Sequence, residues 1–242
     1  MQKLLLAVFV AGAASTGSAE AQTRFEIRLD GALAASGLDY DGTRVYPEAQ
    51  ESVRVQTRYS AESAAGFEVG LRFDVTPAFG VAVTLGRFVR DVSGDASASV
   101  PHPFHFDRDR ALAGSVGGLT LDETVGHFDL VYSVGAGALE LSVFGGLSAF
   151  KVEAELVTRV DYAHAYPYDE ATLTGLPAAT FDDSPLGFNV GLGLDYAVST
   201  AVGLGARARF ARASATLGPD ADNRAEVDVG GLQLAAGVRI RF

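Results

Sequence analysis

Apolar and polar residues alternate with a period of two along much of the chain. Within residues 66–76, apolar side chains occupy every odd position from Phe67 to Val75, while Glu68 and Gly70 lie on the other face. The same alternation recurs in residues 188–197 and 232–242. Successive side chains of a strand point to opposite faces, so this period predicts β-strands. Since no helical period of comparable length competes, we expect an all-β fold.

The polar face of these segments has an unusual composition. It mixes many glycines with acidic residues and arginines, as in Gly191, Gly193 and Asp195, where a soluble strand tends to carry Lys, Glu, Thr and Ser. Glycine is unfavourable inside a strand unless space is tight, and the lumen of a narrow barrel is such a place. The apolar face then turns outward to lipid. The pattern favours a transmembrane antiparallel up-and-down β-barrel over a soluble sandwich.

Turn lengths predict eight strands. Short turns are expected at 76–79, 133–138 and 198–201, and they alternate with long polar connections at about 37–52, 95–120, 158–185 and 217–225. Alternating short and long connections are typical of outer-membrane barrels, whose two termini then lie in the periplasm. The predicted strands cover residues 24–36, 53–75, 79–93, 121–133, 138–157, 186–197, 202–216 and 226–242.

One segment leaves the strand count open. Val53, Val55 and Tyr59 could form a strand of their own, separate from Phe67–Val75. A ninth strand would conflict with the even number found in bacterial single-chain barrels. Because all these apolar positions are odd, we prefer one continuous strand that projects above the membrane.

The first 21 residues are typical of a secretory signal. Lys3 supplies a positive charge, Leu4 to Ala14 form an apolar core, and Ala19 to Ala21 make an A-x-A site. The apolar stretch is too short for a membrane-spanning helix, which needs about 20 residues. We therefore expect cleavage between Ala21 and Gln22, which divides the chain into a signal peptide, 1–21, and a barrel domain, 22–242.

Aromatic residues stand at the strand ends that lie next to the short turns. Such residues form girdles at the two membrane interfaces of outer-membrane barrels. The expected periplasmic girdle consists of Phe25, Phe73, Tyr132, Tyr196 and Phe242.

The ending Val238–Phe242 resembles the terminal strand of bacterial outer-membrane proteins, which commonly finish in Phe after alternating apolar positions. The whole mature chain resembles the family of small eight-stranded outer-membrane domains to which the membrane part of OmpA belongs. The resemblance implies that Phe242 is an assembly signal recognised by the barrel-assembly machinery. It also implies an integral protein of the outer membrane of a Gram-negative-type bacterium.

Charged residues of both signs lie on the predicted lumen face. An isolated buried charge is costly, so these side chains should pair across the barrel. The first and last strands of a closed barrel are neighbours, which brings Glu26 near Arg239 or Arg241. The candidates for this ion-pair network are Glu26, Arg28, Asp30, Glu68, Arg72, Asp74, Asp129, Glu140, Asp195, Arg207, Arg209, Arg239 and Arg241. We expect a structural network that fills the lumen; the alternative is a narrow, gated pore.

Charge and cysteine content exclude several functions. The formal net charge is −11, which disfavours binding to nucleic acid because the chain would repel phosphates. The chain contains no cysteine, which excludes disulfides and thiolate metal sites.

Histidines were the other candidates for chemistry. His102 and His105 form an H-x-x-H pair near Asp107, but the intervening proline leaves the spacing uninformative for a metal site. His127 and Asp129 share a strand face, yet no serine nucleophile can be assigned beside them from the sequence. The sequence predicts no catalytic, cofactor or metal site, and a protein that is not an enzyme.

The long outer loops remain for interaction. Residues 162–169 combine three tyrosines with a histidine, a proline and an aspartate, a mixture that suits recognition, although packing over the barrel mouth would also explain it. We expect a monomer that contacts outer-membrane lipid and lipopolysaccharide, with an unknown surface ligand at these loops. The predicted role is structural or interactive; a small solute channel and a lipid- or peptide-modifying enzyme are the alternatives.

Overall fold

The computed structural model describes residues 24–48 and 50–242, and these residues form strands joined by turns and loops. No helix among them is long and apolar enough to cross a membrane. The strands are β1 Arg24–Ala34, β2 Leu38–Glu48, β3 Glu51–Ala61, β4 Ala64–Asp74, β5 Phe79–Val100, β6 Arg110–Ala136, β7 Leu139–Val157, β8 Asp161–Ala163, β9 Thr172–Gly175, β10 Ala178–Asp183, β11 Leu186–Ala197, β12 Val202–Asp220 and β13 Asn223–Arg241.

Eight of these strands close into a ring. The order is β1, β4, β5, β6, β7, β11, β12 and β13, and every neighbouring pair is antiparallel. β13 returns to β1 in a register that pairs Glu26 with Arg241 and Ala34 with Gln233. The predicted all-β, antiparallel, eight-stranded barrel is confirmed.

A second ring lies on top of the first. Here β2 and β3 replace β1 and β4: β2 pairs with β13, and β3 pairs with β5. β10 runs along β7 in place of β11, and the Thr216 amide donates to Asp183 Oδ2 at 2.7 Å, which ties β12 to β10. We call this upper ring the outer section: β2, β3 and β10 with residues 91–100, 110–120, 152–157, 211–220 and 223–230. The remaining ring residues form the membrane section.

The polarity of the wall reverses between the two sections. In the membrane section, apolar side chains such as Leu85, Leu147 and Leu192 point outward and are more than half exposed. In the outer section, Leu217 and Val227 are instead buried inside the ring. Apolar residues face lipid in the lower ring and each other in the upper ring, as in a soluble barrel, because the upper ring has water outside.

The interpretation of residues 53–75 as one strand of constant parity is wrong. Val53, Val55 and Tyr59 are buried inside the outer section, whereas Phe67 is 57% exposed on the outer wall. The chain breaks at Glu62 and Ser63, and the pairing with β5 shifts by one residue between Ala61↔Val92 and Gly66↔Phe88. A one-residue shift turns every side chain to the other face. The odd-numbered apolar residues therefore point into the apolar core of the outer section in β3 and toward lipid in β4.

β6 makes the same change of face with a bulge. Its register against β5 shifts between Val92↔Leu119 and Gly94↔Val116. Gly118 has φ of +73° at this point, a backbone conformation that glycine adopts at little cost. Without a bulge, residues at odd and even positions of one strand point to opposite faces. Because of the bulge, both Leu121 and Leu112 point inward, the first inside the barrel and the second inside the outer section.

Three of the predicted long loops are shorter than expected, because strands continue into them. Most of 37–52 belongs to the β2–β3 hairpin, β5 and β6 leave only residues 101–109 unpaired, and β12 and β13 leave only 221–222. The fourth connection, 158–185, contains the short strands β8 to β10. In the outer section the outward side chains are polar, so its strands have a composition that resembles loops.

Candidate functional site in the lumen and outer loops

The lower end of the lumen is crossed by two groups of ion pairs. Arg241 Nε lies 2.8 Å from Glu26 Oε2, and Glu26 also accepts from Arg28 Nε at 2.7 Å. Across the lumen, Arg72 contacts Asp74 and Glu140, each at 2.6 Å. Charges this close inside a narrow lumen compensate each other's lost hydration.

A second layer lies at the middle of the membrane section. Arg239 contacts Asp30 at 2.5 Å and Asp195 at 2.6 Å, and both acids are fully or almost fully buried. Arg207 joins Asp30 to Glu68, forming ion pairs with both. Arginine suits this role because its planar guanidinium can donate to two carboxylates at once.

The second layer ends on the far wall of the barrel. Arg209 lies 3.4 Å from Glu68 and 2.9 Å from Asp129. The pairs Arg28–Glu26 and Arg72–Asp74 each lie within one strand. The pairs Arg72–Glu140, Arg207–Glu68 and Arg209–Asp129 join strands that are not neighbours in the ring, so the network ties different sides of the barrel together. Every lumen candidate from the sequence lies in one of these two layers, with the pairings just given.

A serine lies directly beside His127, although no local pattern around this histidine indicates one. His127 on β6 and Ser148 on β7 are register partners, and Nδ1 lies 2.8 Å from the serine Oγ. Asn189 of β11 donates from Nδ2 to the same Oγ at 3.1 Å. All three side chains are buried in the lumen. An imidazole in this position can exchange a proton with the serine hydroxyl.

The junction of the two sections contains a buried ion pair that the sequence analysis missed. Arg90 is completely buried, and its Nε lies 2.7 Å from Glu123 Oε2. Arg90 Nη1 donates to the carbonyl oxygens of Ser36 at 2.7 Å and Glu62 at 3.0 Å, and Nη2 donates to that of Gly230 at 3.4 Å. These carbonyls belong to the three points where strands bend or break.

Glu123 completes this junction from the other side. Its Oε1 accepts from the Gly230 amide at 3.0 Å. Gly230 has φ of +98°, which would strain any residue with a side chain. One ion pair thus satisfies backbone groups that the change of strand direction leaves without ladder partners. Neither residue is among the lumen candidates from the sequence, because their role depends on the breaks at 36, 62 and 230.

At the level of the junction and above it, the lumen is filled with apolar side chains. We call this part the plug; it begins at the level of Phe88, Val125 and Phe150 and continues through the interior of the outer section. Tyr40 stacks on Tyr59 with ring centroids 4.9 Å apart, and Tyr59 Oη accepts from the Val157 amide at 2.8 Å. Burial raises the pKa of both phenols.

Two outer loops meet at the top of the outer section. We call residues 101–109 and 164–171 the loop crown. The rings of Phe104 and Tyr168 lie 5.2 Å apart edge to face, and His164 and Tyr166 pack on Tyr168 at 5.3 and 6.1 Å. Arg108 pairs with Asp169 of the other loop at 3.0 Å. Both loops therefore form one surface.

The loop crown exposes aromatic rings to the outside. Tyr166 is 87% exposed and Phe104 69% exposed. Beside Tyr166, a recess of about 510 Å³ is lined by the loop from Ala163 to Thr172, including Asp169 and Glu170. In the other loop of the crown, the rings of His102 and His105 have centroids 4.8 Å apart. The part of the chain that the structure describes assembles no group of three potential metal ligands.

The other predicted residues occupy the opposite end of the barrel. The side chains of Phe25, Phe73, Tyr132 and Tyr196 point outward from the membrane section at the end with short turns. Phe242 is exposed there and lies 6.0 Å from Phe25, ring to ring. The predicted signal peptide and its cleavage site at Ala21 and Gln22 lie outside the described residues.

Comparison with known proteins relates the chain to solved outer-membrane barrels. The outer membrane protein OprG from Pseudomonas aeruginosa is 14% identical, with a TM-score of 0.53 over 91% of this chain and 96% of that one. Neisserial surface protein A is 13% identical, with a TM-score of 0.44 over 90% and 97% of the two chains. No protein-family model and no curated relative matches the sequence. The likeness to OprG concerns the fold, which is that of an outer-membrane β-barrel.

A third similar structure corrects the prediction that the chain is not an enzyme. The outer membrane protease OmpT from Escherichia coli is 10% identical, with a TM-score of 0.46 over 94% of this chain and 99% of that one. The prediction of a protein that is not an enzyme, which rested on the lack of an assignable serine nucleophile beside His127, therefore does not stand.

Proposed function

We propose that the protein is a sealed outer-membrane barrel with a structural or surface-interaction role, and that its outer section presents the loop crown to an external ligand. The observation that carries this proposal is the reversal of wall polarity. A chain that needed only a membrane anchor could end its strands at the lipid surface. This chain continues them into a second ring with its own apolar core, which gives the loop crown a rigid base.

The exposed rings of the loop crown support an interaction role. Phe104 and Tyr166 project from the end of the molecule farthest from the lipid-facing wall. Tyrosine and phenylalanine are enriched at protein interaction sites, where they supply contact area at a low cost in side-chain entropy. Asp169 and Glu170 next to Tyr166 add hydrogen-bond acceptors to the same surface.

The plug argues against the alternative of a solute channel. A conducting pore needs a continuous path lined by polar groups, whereas the inner wall at and above the level of Arg90 carries packed apolar residues such as Tyr59, Leu121 and Leu217. Below the plug, the ion pairs fill an eight-stranded lumen that is just wide enough for side chains. We assign this lumen network a structural role.

The remaining parts of the proposal concern export and assembly. Residues 1–21 direct export and are removed before Gln22, and residues 22–242 form the barrel domain. Both termini lie in the periplasm, with Phe242 as the signal for the barrel-assembly machinery and the aromatic residues near it as the periplasmic girdle. The protein is a monomer surrounded by outer-membrane lipid and lipopolysaccharide, and it belongs with the small eight-stranded domains that resemble the membrane part of OmpA.

Two measurements on the same protein test the proposed role. In planar bilayers the folded protein should give no discrete, salt-dependent conductance. Cells that display it should adhere to surfaces coated with collagen, laminin or fibronectin, and the double variant Phe104→Ser, Tyr166→Ser should lose this adhesion. Arg224→Ser, which changes an exposed residue of the outer section outside the crown, is the matched control.

The outcomes separate the alternatives. Steady conductance of the wild-type protein would replace the sealed barrel with a channel. Adhesion that survives the double variant would remove the loop crown from the interaction. If the protein shows no conductance and no adhesion to any of the three surfaces, only the structural role remains.

A further inference from the structure

The outer wall of the barrel changes from apolar to charged at one level. On β5 the outward residue after Leu85 is Arg87, and on β7 Lys151 follows Leu147 and Ala149. On β12 the exposed Phe210 is followed outward by Arg212. Lipid headgroups lie where the lipid-facing apolar belt of a barrel ends. On these three strands the first charged residue at that level is a cation.

Two of these cations belong to one row of side chains. Arg87 is the register partner of Thr124, and Thr124 is the register partner of Lys151. Partners across adjacent strands have Cβ atoms about 5 Å apart, so the two cations stand about 10 Å apart with the threonine hydroxyl between them. Their side chains are 54% and 59% exposed on the outer wall.

A recess lies above this row and is closed by carboxylates. Arg87, Thr124 and Lys151 line a cavity of about 230 Å³ together with Asp122 and Glu153. Arg87 donates to Asp122 through Nε at 3.2 Å and Nη2 at 2.6 Å, and Lys151 pairs with Glu153. None of the hydrogen bonds of Arg87 among the described residues uses Nη1. The acids orient the cations from above and leave donors for a group that approaches from the membrane side.

The position of this lysine is notable in an acidic chain. The formal net charge is −11, and Lys3 and Lys151 are the only two lysines. Lys3 belongs to the predicted signal peptide. The single lysine of the barrel domain therefore lies at the upper edge of the lipid-facing wall, beside an exposed arginine.

We propose that Arg87 and Lys151 bind a phosphate group of a phosphorylated glycolipid in the surrounding outer leaflet, with its acyl chains against Leu85 and Leu147. Guanidinium and ammonium groups are the usual phosphate ligands of proteins, the first as a planar fork and the second as a point charge. The source is a lipid because the row lies directly above a wall that only acyl chains can cover. This inference rests on the proposed outer-membrane location and adds a defined lipid site to it.

The lone lysine makes the site measurable. The folded protein is held in a phosphate-free maltoside detergent, and the rate of Lys151 acetylation is followed by peptide mass spectrometry, with the N-terminal amine as internal reference. Bisphosphorylated lipid A should slow acetylation of Lys151 selectively, and the same lipid stripped of phosphate should not. Arg87→Gln should weaken this protection roughly tenfold, because a charge-assisted hydrogen bond is lost.

Control variants and control lipids distinguish a specific phosphate site from unspecific protection and from unfolding. Arg58→Gln removes a different exposed ion pair, with Asp41 in the outer section, and should leave the protection unchanged. Equal protection by dephosphorylated lipid A, or by inorganic phosphate alone, would overturn the proposal of a lipid phosphate site. A faster-migrating unboiled band in every sample shows that the barrel is folded, so a failure of protection counts against this site and not against the proposed barrel.

Discussion

Arg90 is a fully buried charged residue, so its stability in the fold depends entirely on the groups around it. A guanidinium with no solvent exposure is tolerated only when its charge is paired and its nitrogens donate to acceptors, and for Arg90 these are Glu123 and three carbonyl groups. The residue thereby couples the folding of two rings of opposite polarity. Its contribution to stability can be measured directly.

Arg90→Met should destabilise the barrel by about 3 to 5 kcal/mol, because Glu123 is left as a buried, unpaired charge. The measurement is urea unfolding in lipid vesicles. The double variant Arg90→Met, Glu123→Met should recover part of this loss, since no buried charge then remains. Arg87→Met, which breaks an exposed pair, should cost at most about 1 kcal/mol. Equal effects of Arg87→Met and Arg90→Met would contradict the special role of the junction.

Tyrosines make the outer section sensitive to alkali. Burial, together with the hydrogen bond and charge of Glu48, raises the pKa of Tyr162 to about 12. A raised pKa in the folded state means stability that is present below the unfolded value of about 10 and is lost as pH rises through the folded value. The outer section should therefore lose stability between about pH 10 and 12, and the raised pKa values of Tyr40 and Tyr59 act in the same direction.

The test is a phenolate absorbance titration of the folded protein. Glu48→Gln removes the negative charge near Tyr162 and should lower the pKa of that phenol. A titration that Glu48→Gln leaves unchanged would show that Glu48 does not act on Tyr162 as its 2.6 Å hydrogen bond implies.

At the scale of elements, the β2–β3 hairpin is an insertion into a ring that closes without it. Ala34 and Ala64 are register partners in the β1–β4 pair, so the hairpin leaves and rejoins the membrane section at adjacent points. The hairpin supplies two of the eight strands of the outer section and the Tyr40–Tyr59 stack of the plug. The membrane section and the seal of the lumen are therefore separable.

Removing residues 38–61 and joining Gly37 to Glu62 should leave a membrane barrel that still folds. The remaining five residues between Ala34 and Ala64 suit a hairpin loop, and the carbonyl groups of Ser36 and Glu62 stay in place for Arg90. With a gap in the plug, water and ions should enter the lumen, and conductance should appear in planar bilayers. Deletion of residues 103–107, which lie outside the plug, is the control and should remain silent. A silent hairpin deletion that still folds would show that the hairpin is not needed for the seal, because the remaining apolar residues and the ion pairs then close the lumen on their own.

At the scale of the whole molecule, the fold predicts a protein that resists detergent. A closed ring leaves no strand edge to unravel, and its ion-paired lumen and apolar outer wall match a membrane rather than water. In fractionated cells it should appear in the outer membrane and migrate faster in unboiled than in boiled samples, with a mature N-terminus at Gln22. A single unshifted band in the soluble periplasm would mean that the outward apolar residues pack on each other, as in a soluble sandwich.

For the membrane section, the amino-acid sequence was enough to establish the architecture. Alternation is a local property with a period of two, and the glycines and charges on one face distinguished the lumen side from the lipid side in each strand. In this way Glu68, Arg72 and Asp129 were identified as lumen residues before any pairing was known. Short turns between such strands then required an antiparallel ring with an even number of strands.

Which charges meet, and where the polarity of the wall reverses, depends on contacts between residues far apart in the chain. Arg209 reaches Asp129 across the lumen, a pairing that depends on the register of the whole ring and on no local pattern. Ser148 meets His127 for the same reason. The reversal was hidden because a one-residue shift at Glu62 and Ser63 lets odd-numbered apolar residues face lipid below and the plug above. An alternation records that two faces differ, but not which face meets lipid, since that depends on the height of the strand in the membrane.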